Sequence, residues 1–247
     1  MLGSTFSIAG PNIILNTVVA DVLSEFADML EAAKDFKAAL SALIQKTIRE
    51  HKRIIFNGNN YSDSWVREAK KRGLSNLKNT VEALPAFVSS KSIDMFTRHC
   101  VFSETEIRSR YEILLENYCK TLHIEALTMS DIVKKEIFPA CISYQNELVQ
   151  LVGGKKACGE YDSMLEDHLL GKISKLSACL VKKLDTLETV TLETKSKSDA
   201  LALAQFYRDK VFGAMSELRL IVDELEMLIS REKWPMPTYA EMLYSVN

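Results

Sequence analysis

Residues 207–228 read YRDKVFGAMSELRLIVDELEML, and the spacing of their apolar side chains indicates the fold. Apolar positions recur in alternating steps of four and three residues, the repeat of a helix packed along another helix. A similar run precedes it. The two stripes are Leu165, Leu169, Ile173, Leu176, Leu180, Leu184 and Leu187, then Tyr207, Val211, Ala214, Leu218, Ile221, Leu225 and Leu228. We predict a long antiparallel helical hairpin over about residues 160–233, with a polar turn between its arms.

Helical spacing also extends through the rest of the chain. An amino-terminal stripe predicts one long helix, or two in line, up to about Glu50; it comprises Leu15, Val18, Val22, Phe26, Met29, Ala33, Phe36, Leu40 and Leu43. Ser62 is expected to cap a short helix that ends before Gly73. The capping box Ser103-x-x-Glu106 predicts another long helix. We expect that helix to run to Val152, to kink at Pro139 and to stop at Gly153-Gly154, followed by a loop over residues 153–160.

The shorter segments leave little room for a sheet. With only 9 glycines and 5 prolines in 247 residues, the composition favours a mostly all-α helical bundle. At most, a short strand or an extended bridge is expected at Ile54–Phe56, followed by a turn at residues 57–60. Thr80 and Ser92 are candidate N-caps of short helices, separated by Pro85. The carboxy-terminal tail TYAEMLYSVN is apolar enough to dock on the protein.

Charge and cysteine usage exclude several classes of protein. A net charge of -2 offers no bulk field for nucleic acid, so we expect no nucleic-acid partner. The short cationic clusters at residues 51–53 and 70–72 are expected at helix ends, where they complement the helix dipole. The five scattered cysteines are typical of a reducing compartment. No apolar run reaches the length of a membrane span, so we expect a cytoplasmic protein without a membrane partner.

No constellation of residues indicates catalysis. The four histidines, His51, His99, His123 and His168, lie far apart and form no metal-binding spacing. The loop at residues 57–60 lacks the glycine patterns of phosphate-binding loops, which makes a plain turn the better interpretation. We therefore predict no catalytic, cofactor-binding or metal-binding residue in this chain.

Long stretches of the chain nevertheless resemble type III glutamine synthetases. The similar segments are HKRIIFNGNNYSDSWVREAKKRGL, VFSETEIRSRYEILLENYCKTLHIEALTM, YRDKVFGAMSELRLIVDELEMLI and WPMPTYAEMLYSV, and they cover essentially the whole chain. The resemblance implies that residues 1–60 are the end of the catalytic domain. It likewise implies that residues 61–247 form a carboxy-terminal helical domain of the type III branch.

The resemblance implies a reaction that this chain does not carry out by itself. The complete enzymes make glutamine from glutamate, ammonia and ATP, with magnesium or manganese ions neutralising the transferring phosphoryl group. In that family the metal ligands and nucleotide contacts lie on a β-sheet upstream of the segment matched here. Residues 1–30 accordingly look like the inside of a larger domain, and we expect this chain to be a carboxy-terminal fragment without catalytic residues.

The expected partners follow from the same resemblance. They are the missing catalytic portion and the other subunits of a ring-shaped homo-oligomer, in which the hairpin either mediates assembly or covers its own subunit. The alternative function is a stand-alone helical interaction module, because amphipathic helices commonly form grooves for partners. In either case Leu15, Val18, Val22 and Phe26 would have no sheet to cover them in this chain, and we expect them to drive association.

Overall fold

The computed structural model describes residues 7–159, 161–237 and 239–244. Within these residues every regular element is helical, and the predicted all-α class is confirmed. The chain forms two compact units, Met1–Leu114 and Leu115–Asn247. The predicted division between a catalytic domain and a helical domain near residue 60 stays a prediction.

The first unit consists of short and medium helices. They are α1 (Ala9–Glu31), α2 (Phe36–His51), α3 (Asp63–Lys71), α4 (Thr80–Phe87), α5 (Ser90–Arg98) and the beginning of α6 (Glu104–Ile132). The predicted amino-terminal helix is therefore two helices. Asp35 separates them, since its side chain accepts a hydrogen bond from the Ala38 N–H and caps α2.

Two of the predicted helix ends are confirmed in detail. The Ser62 side chain accepts the Trp65 N–H at the start of α3. Gly73 follows the end of α3 with a φ of 72°, while its N–H bonds to the Lys70 carbonyl and the Leu74 N–H bonds to the Ala69 carbonyl. These two hydrogen bonds end the helix, with Gly73 in the left-handed region of backbone conformation. Glycine adopts this conformation without steric cost.

The capping box that opens α6 is also confirmed. The Ser103 hydroxyl accepts the Glu106 N–H at 3.3 Å, and the Glu106 carboxylate accepts both the Ser103 N–H at 2.8 Å and its hydroxyl at 2.9 Å. These hydrogen bonds hold the pKa of Glu106 below its usual value, because the ionised carboxylate is the better acceptor.

Three local predictions in the first unit are wrong. Asn79 and Ser89, rather than Thr80 and Ser92, cap α4 and α5, since their side chains accept backbone N–H groups three residues further on. Pro85 lies inside α4 instead of breaking it.

No strand forms at the predicted position among the described residues, because the turn 52–54 is a 3-10 helix. Ile55 is extended, with a φ of -77° and a ψ of 118°, so the interpretation as a bridge fits better than a strand. A strand would also need a partner strand for its backbone groups, and the described residues contain none.

The second unit is built from longer helices. After α6 come α7 (Phe138–Cys158), α8 (Met164–Glu193), α9 (Ala200–Phe206), α10 (Phe212–Glu226) and the short α11 (Tyr239–Tyr244). Two π-helical turns, Val133–Ile137 and Tyr207–Val211, connect α6 with α7 and α9 with α10. Each widened turn closes with an N–H bonded five residues back.

Pro139 explains the position of the first π turn. Proline lacks an N–H, and its ring crowds the carbonyl four residues earlier, which disfavours a regular α-helix at Lys135. The wider turn relieves that crowding, and the Phe138 N–H bonds to the Val133 carbonyl. The predicted interruption at Pro139 is thus a local widening one turn upstream of the proline.

The predicted stop at Gly153-Gly154 is wrong. Helix α7 continues through both glycines to Cys158, and the positive φ that ends it belongs to Gly159, at 141°. Residues 153–158 are therefore helical rather than a loop, whereas residue 160 lies outside the described part of the chain.

The two stripes that predicted the hairpin supply much of the core of the second unit. Their fully buried members include Ile173, Leu180, Leu187, Val211, Leu218 and Leu225. Helix α8 packs against both α7 and α10. Leu165 is the exception, since it lies at the exposed start of α8. The coiled-coil character of this packing stays a prediction.

Candidate functional site: an exposed apolar helix face

Helix α1 carries its apolar stripe on the outside. Leu15, Val18 and Val22 lie on one face and are 64%, 43% and 39% exposed, and Leu23 beside them is 60% exposed. An isolated exposed leucine is ordinary, but a continuous apolar row along a helix is typical of a contact surface. Of the four residues predicted to lack cover, Leu15, Val18 and Val22 are exposed, whereas Phe26 is half-buried.

The covered residues of α1 include polar as well as apolar side chains. Thr17 is the buried residue of this helix, and its hydroxyl donates to the Ile13 carbonyl at 2.7 Å. Asp21, one turn further on, is largely covered. Part of the apolar surface of α1, the row Leu15, Val18 and Val22, therefore stays exposed, a pattern typical of a helix that another surface covers.

Asp21 attaches α1 to the end of α5. Its carboxylate accepts a hydrogen bond from the Arg98 guanidinium and lies 2.7 Å from Nε2 of His99. The hydrogen bond with His99, followed by the bond and charge of Arg98, holds the pKa of Asp21 below its usual range. The sequence could not reveal this contact, since Asp21 and His99 are 78 positions apart.

We expect this attachment to weaken in acid. A carboxyl with a lowered folded-state pKa contributes stability above its unfolded pKa of about 3.8 and loses it as the pH falls through the folded value. Asp21→Asn should therefore lower the free energy of unfolding by about 1 kcal/mol at pH 7, since the pair is partly solvated. Urea denaturation at pH 7 and pH 3 measures the difference, which should shrink at pH 3. A difference of the same size at both pH values would contradict the assignment.

A second set of contacts fixes the segment between α2 and α3. The Arg72 guanidinium donates to the carbonyls of Arg53 at 3.3 Å and Ile55 at 3.0 Å, and its Nε donates to Glu68. Arg72 also lies over the Trp65 ring. The expected position of the cationic clusters is confirmed, since His51 is the last residue of α2, residues 52 and 53 follow it, and residues 70–72 close α3.

The loop at residues 57–60 makes hydrogen bonds with the residues that lead into α3. The Asn59 side chain accepts the Tyr61 N–H at 3.0 Å, and the Asn59 carbonyl accepts the Ser62 hydroxyl at 2.8 Å. At Gly58 an added Cβ would lie 2.8 Å from the tip of the Phe56 ring, so a larger residue there would require that ring to move. These contacts agree with the interpretation of the loop as a plain turn.

The described residues form no site with obvious chemistry. None of their His, Cys, Asp and Glu side chains come together in a group of three that could hold a metal ion. His123 lies 3.1 Å from the buried Tyr207 hydroxyl, a contact that joins α6 to the second π turn. No helix in the described ranges is long and apolar enough to cross a membrane.

Comparison with known proteins identifies the kind of domain to which this surface belongs. Residues 39–156 match the glutamine synthetase C-terminal domain family. A glutamine synthetase of Butyrivibrio fibrisolvens is 41% identical over 214 residues, covering 86% of this chain and 31% of that protein. A type-3 glutamine synthetase of Dictyostelium discoideum is 32% identical, covering 98% and 34%. A glutamine synthetase of Bacteroides fragilis is 30% identical, covering 98% and 35%.

These matches define an all-helical carboxy-terminal domain of a larger enzyme class. The chain belongs to the glutamine synthetase family and matches the carboxy-terminal part of its members, a type-3 enzyme among them. It spans about a third of the length of these curated relatives.

Proposed function

We propose that this chain forms the carboxy-terminal helical part of a type III glutamine synthetase, whose complete form makes glutamine from glutamate, ammonia and ATP. The match to the Dictyostelium type-3 enzyme carries this proposal, since it covers 98% of the chain but only 34% of the relative. The matches to enzymes of one family favour this function over a stand-alone interaction module.

The role that we propose for this part is structural. The apolar row Leu15, Val18 and Val22 is exposed on α1, and a contact that covers it would gain about 25 cal/mol for each square ångström of apolar surface that it buries. In the complete enzyme this row packs against the catalytic portion. Asp21 fixes the position of this row, because its contacts with Arg98 and His99 hold α1 on α5.

The chemistry is supplied from outside the residues described here. ATP and magnesium or manganese ions are expected for the complete enzyme, but the described His, Cys, Asp and Glu residues form no group that fits a metal ion. No reaction step is therefore assigned to a residue of this chain. What this part contributes is the fixed position of α1 beneath the reacting groups.

Assembly is the second part of the proposed role. The complete enzyme is a ring-shaped homo-oligomer in the cytoplasm, and the helices between residues 160 and 233 form a coiled-coil hairpin on its particle. The long paired helices α8 and α10 and the unlinked state of the five cysteines support this proposal.

Activity measurements test the proposal directly. The purified chain with ATP, magnesium, glutamate and ammonia should release no phosphate above background. A chimaera in which the chain replaces the aligned part of the Butyrivibrio fibrisolvens enzyme should make glutamine within about tenfold of that enzyme's rate. Glutamine formation by the chain alone would contradict the proposed division of labour, and a folded but inactive chimaera would contradict the family role.

A further inference from the structure

The second unit contains an elongated apolar groove that the proposed function does not use. Helix α6 and the π turn after it line one side and the floor, and α10 lines the other side. Ile124, Thr128 and Ile132 lie on the α6 side and Met215 and Val222 on the α10 side. The carboxy-terminal segment also contributes to the lining, through Trp234, Met236, Pro237 and Met242. The groove has a volume of about 600 Å³.

The shape of the groove favours a row of side chains over a compact ligand. Lining residues extend from Ile124 to Ile137 on one side, a rise of about 20 Å at 1.5 Å per residue. On the other side they extend from Met215 to Glu226, a rise of about 16 Å. This length equals roughly three turns of helix. The volume of the groove divided by this length gives a cross-section about one side chain wide and one side chain deep. The apolar stripe of a short helix has these dimensions.

The rim of the groove is acidic. Glu125 stands on the α6 side, and Asp223 and Glu226 stand on the α10 side. Arg219 is the one basic residue among those that line the described groove, and it pairs with Asp223 at 3.4 Å. The three carboxylates and one guanidinium leave two negative charges beside an apolar floor, which favours a cationic partner.

We propose that this groove binds a cationic amphipathic helix of another protein. The apolar side chains of that helix, at positions i, i+3 or i+4 and i+7, lie along Thr128, Ile132 and Val222. Its lysines or arginines face Glu125 and Glu226. The apolar floor provides affinity, and the acidic rim selects for charge and accelerates encounter.

A tryptophan reporter makes the proposal testable on the full chain. The chain has two tryptophans, so Trp65→Phe leaves Trp234, which lines the groove, as the sole tryptophan emitter. The probe is a 14-residue peptide with leucine at positions 1, 4, 5, 8, 11 and 12 and lysine elsewhere. Its control has glutamate in place of every lysine. At low salt the lysine peptide should bind at least tenfold more tightly, and the difference should shrink in about 0.5 M salt, where exposed charges are screened.

Charge reversals locate the binding site. The double variant Glu125→Lys and Glu226→Lys should weaken binding of the lysine peptide at least tenfold. Its control, Asp185→Lys with Glu193→Lys, makes the same change of charge on α8 outside the groove and should leave the affinity unchanged. Equal binding of both peptides, or equal loss in both double variants, would overturn the proposal. A fall in the mass of the particle that the chain forms, when the groove charges are reversed, would also overturn the proposal. The occupant of the groove would then be a second copy of the chain.

Discussion

Leu218→Ala is expected to lower the free energy of unfolding of the second unit by about 2–5 kcal/mol, the range for removing a large aliphatic side chain from a core. Leu218 is fully buried on α10, the helix that packs against α8. Its removal takes away apolar contacts with neighbours that can close only part of the cavity. The stripe that predicted the hairpin thus marks the residues on which the unit depends most.

Leu220→Ala provides a matched control. Leu220 has the same side chain two positions further along α10 but is 63% exposed, so its truncation should change the free energy of unfolding by less than about 0.5 kcal/mol. Both variants are compared with the parent chain by urea denaturation, followed by circular dichroism at 222 nm. Equal midpoints for the two variants would contradict the assignment of Leu218 to the buried face of α10.

The periodic spacing of apolar residues predicted the helices well because it reports local geometry. Heptad-like steps identified α8 and α10, and the capping box at Ser103 and Glu106 identified the start of α6. In both cases the interactions lie within a few residues along the chain, so their signal is present in the sequence.

The errors arose where tertiary packing overrides local preference. Gly153 and Gly154 each cost a helix about 1 kcal/mol relative to alanine, yet α7 continues through them. Buried residues on both sides of the π turn, and Val152 just before the glycines, hold that helix in place. Two glycines at the carboxyl end of a long packed helix are therefore a weak stop signal.

The candidate surface could be predicted only in part. The sequence indicated an apolar stripe at Leu15, Val18 and Val22, and the resemblance to glutamine synthetases suggested what is missing beside it. Which face of α1 points inward depends on Thr17 and on the contact from Asp21 to His99. Contacts between residues so distant in sequence leave no periodic pattern, and the same is true of the acid-rimmed groove between α6 and α10.

The exposed row on α1 should make the purified chain associate. A row of aliphatic side chains in water is stabilised when two copies cover each other, because each buried square ångström contributes about 25 cal/mol. Light scattering of the full chain should therefore give at least twice the monomer mass of 27.9 kDa at micromolar concentration. A version beginning at Arg53, which lacks both α1 and α2, should be monomeric.

Point variants separate the apolar row from the rest of the segment. Leu15→Lys, Val18→Lys and Val22→Lys combined should restore the monomer, since three desolvated ammonium groups would oppose any contact through this face. The control combines Asn16→Lys, Ala20→Lys and Ser24→Lys, which add the same charge at exposed positions of the same helix outside the row. That control should still associate. If both triple variants are monomeric, charge repulsion alone explains the loss of association. If the unaltered chain is monomeric, the row is not a contact surface in isolation. The docking role proposed for α1 then loses its main support.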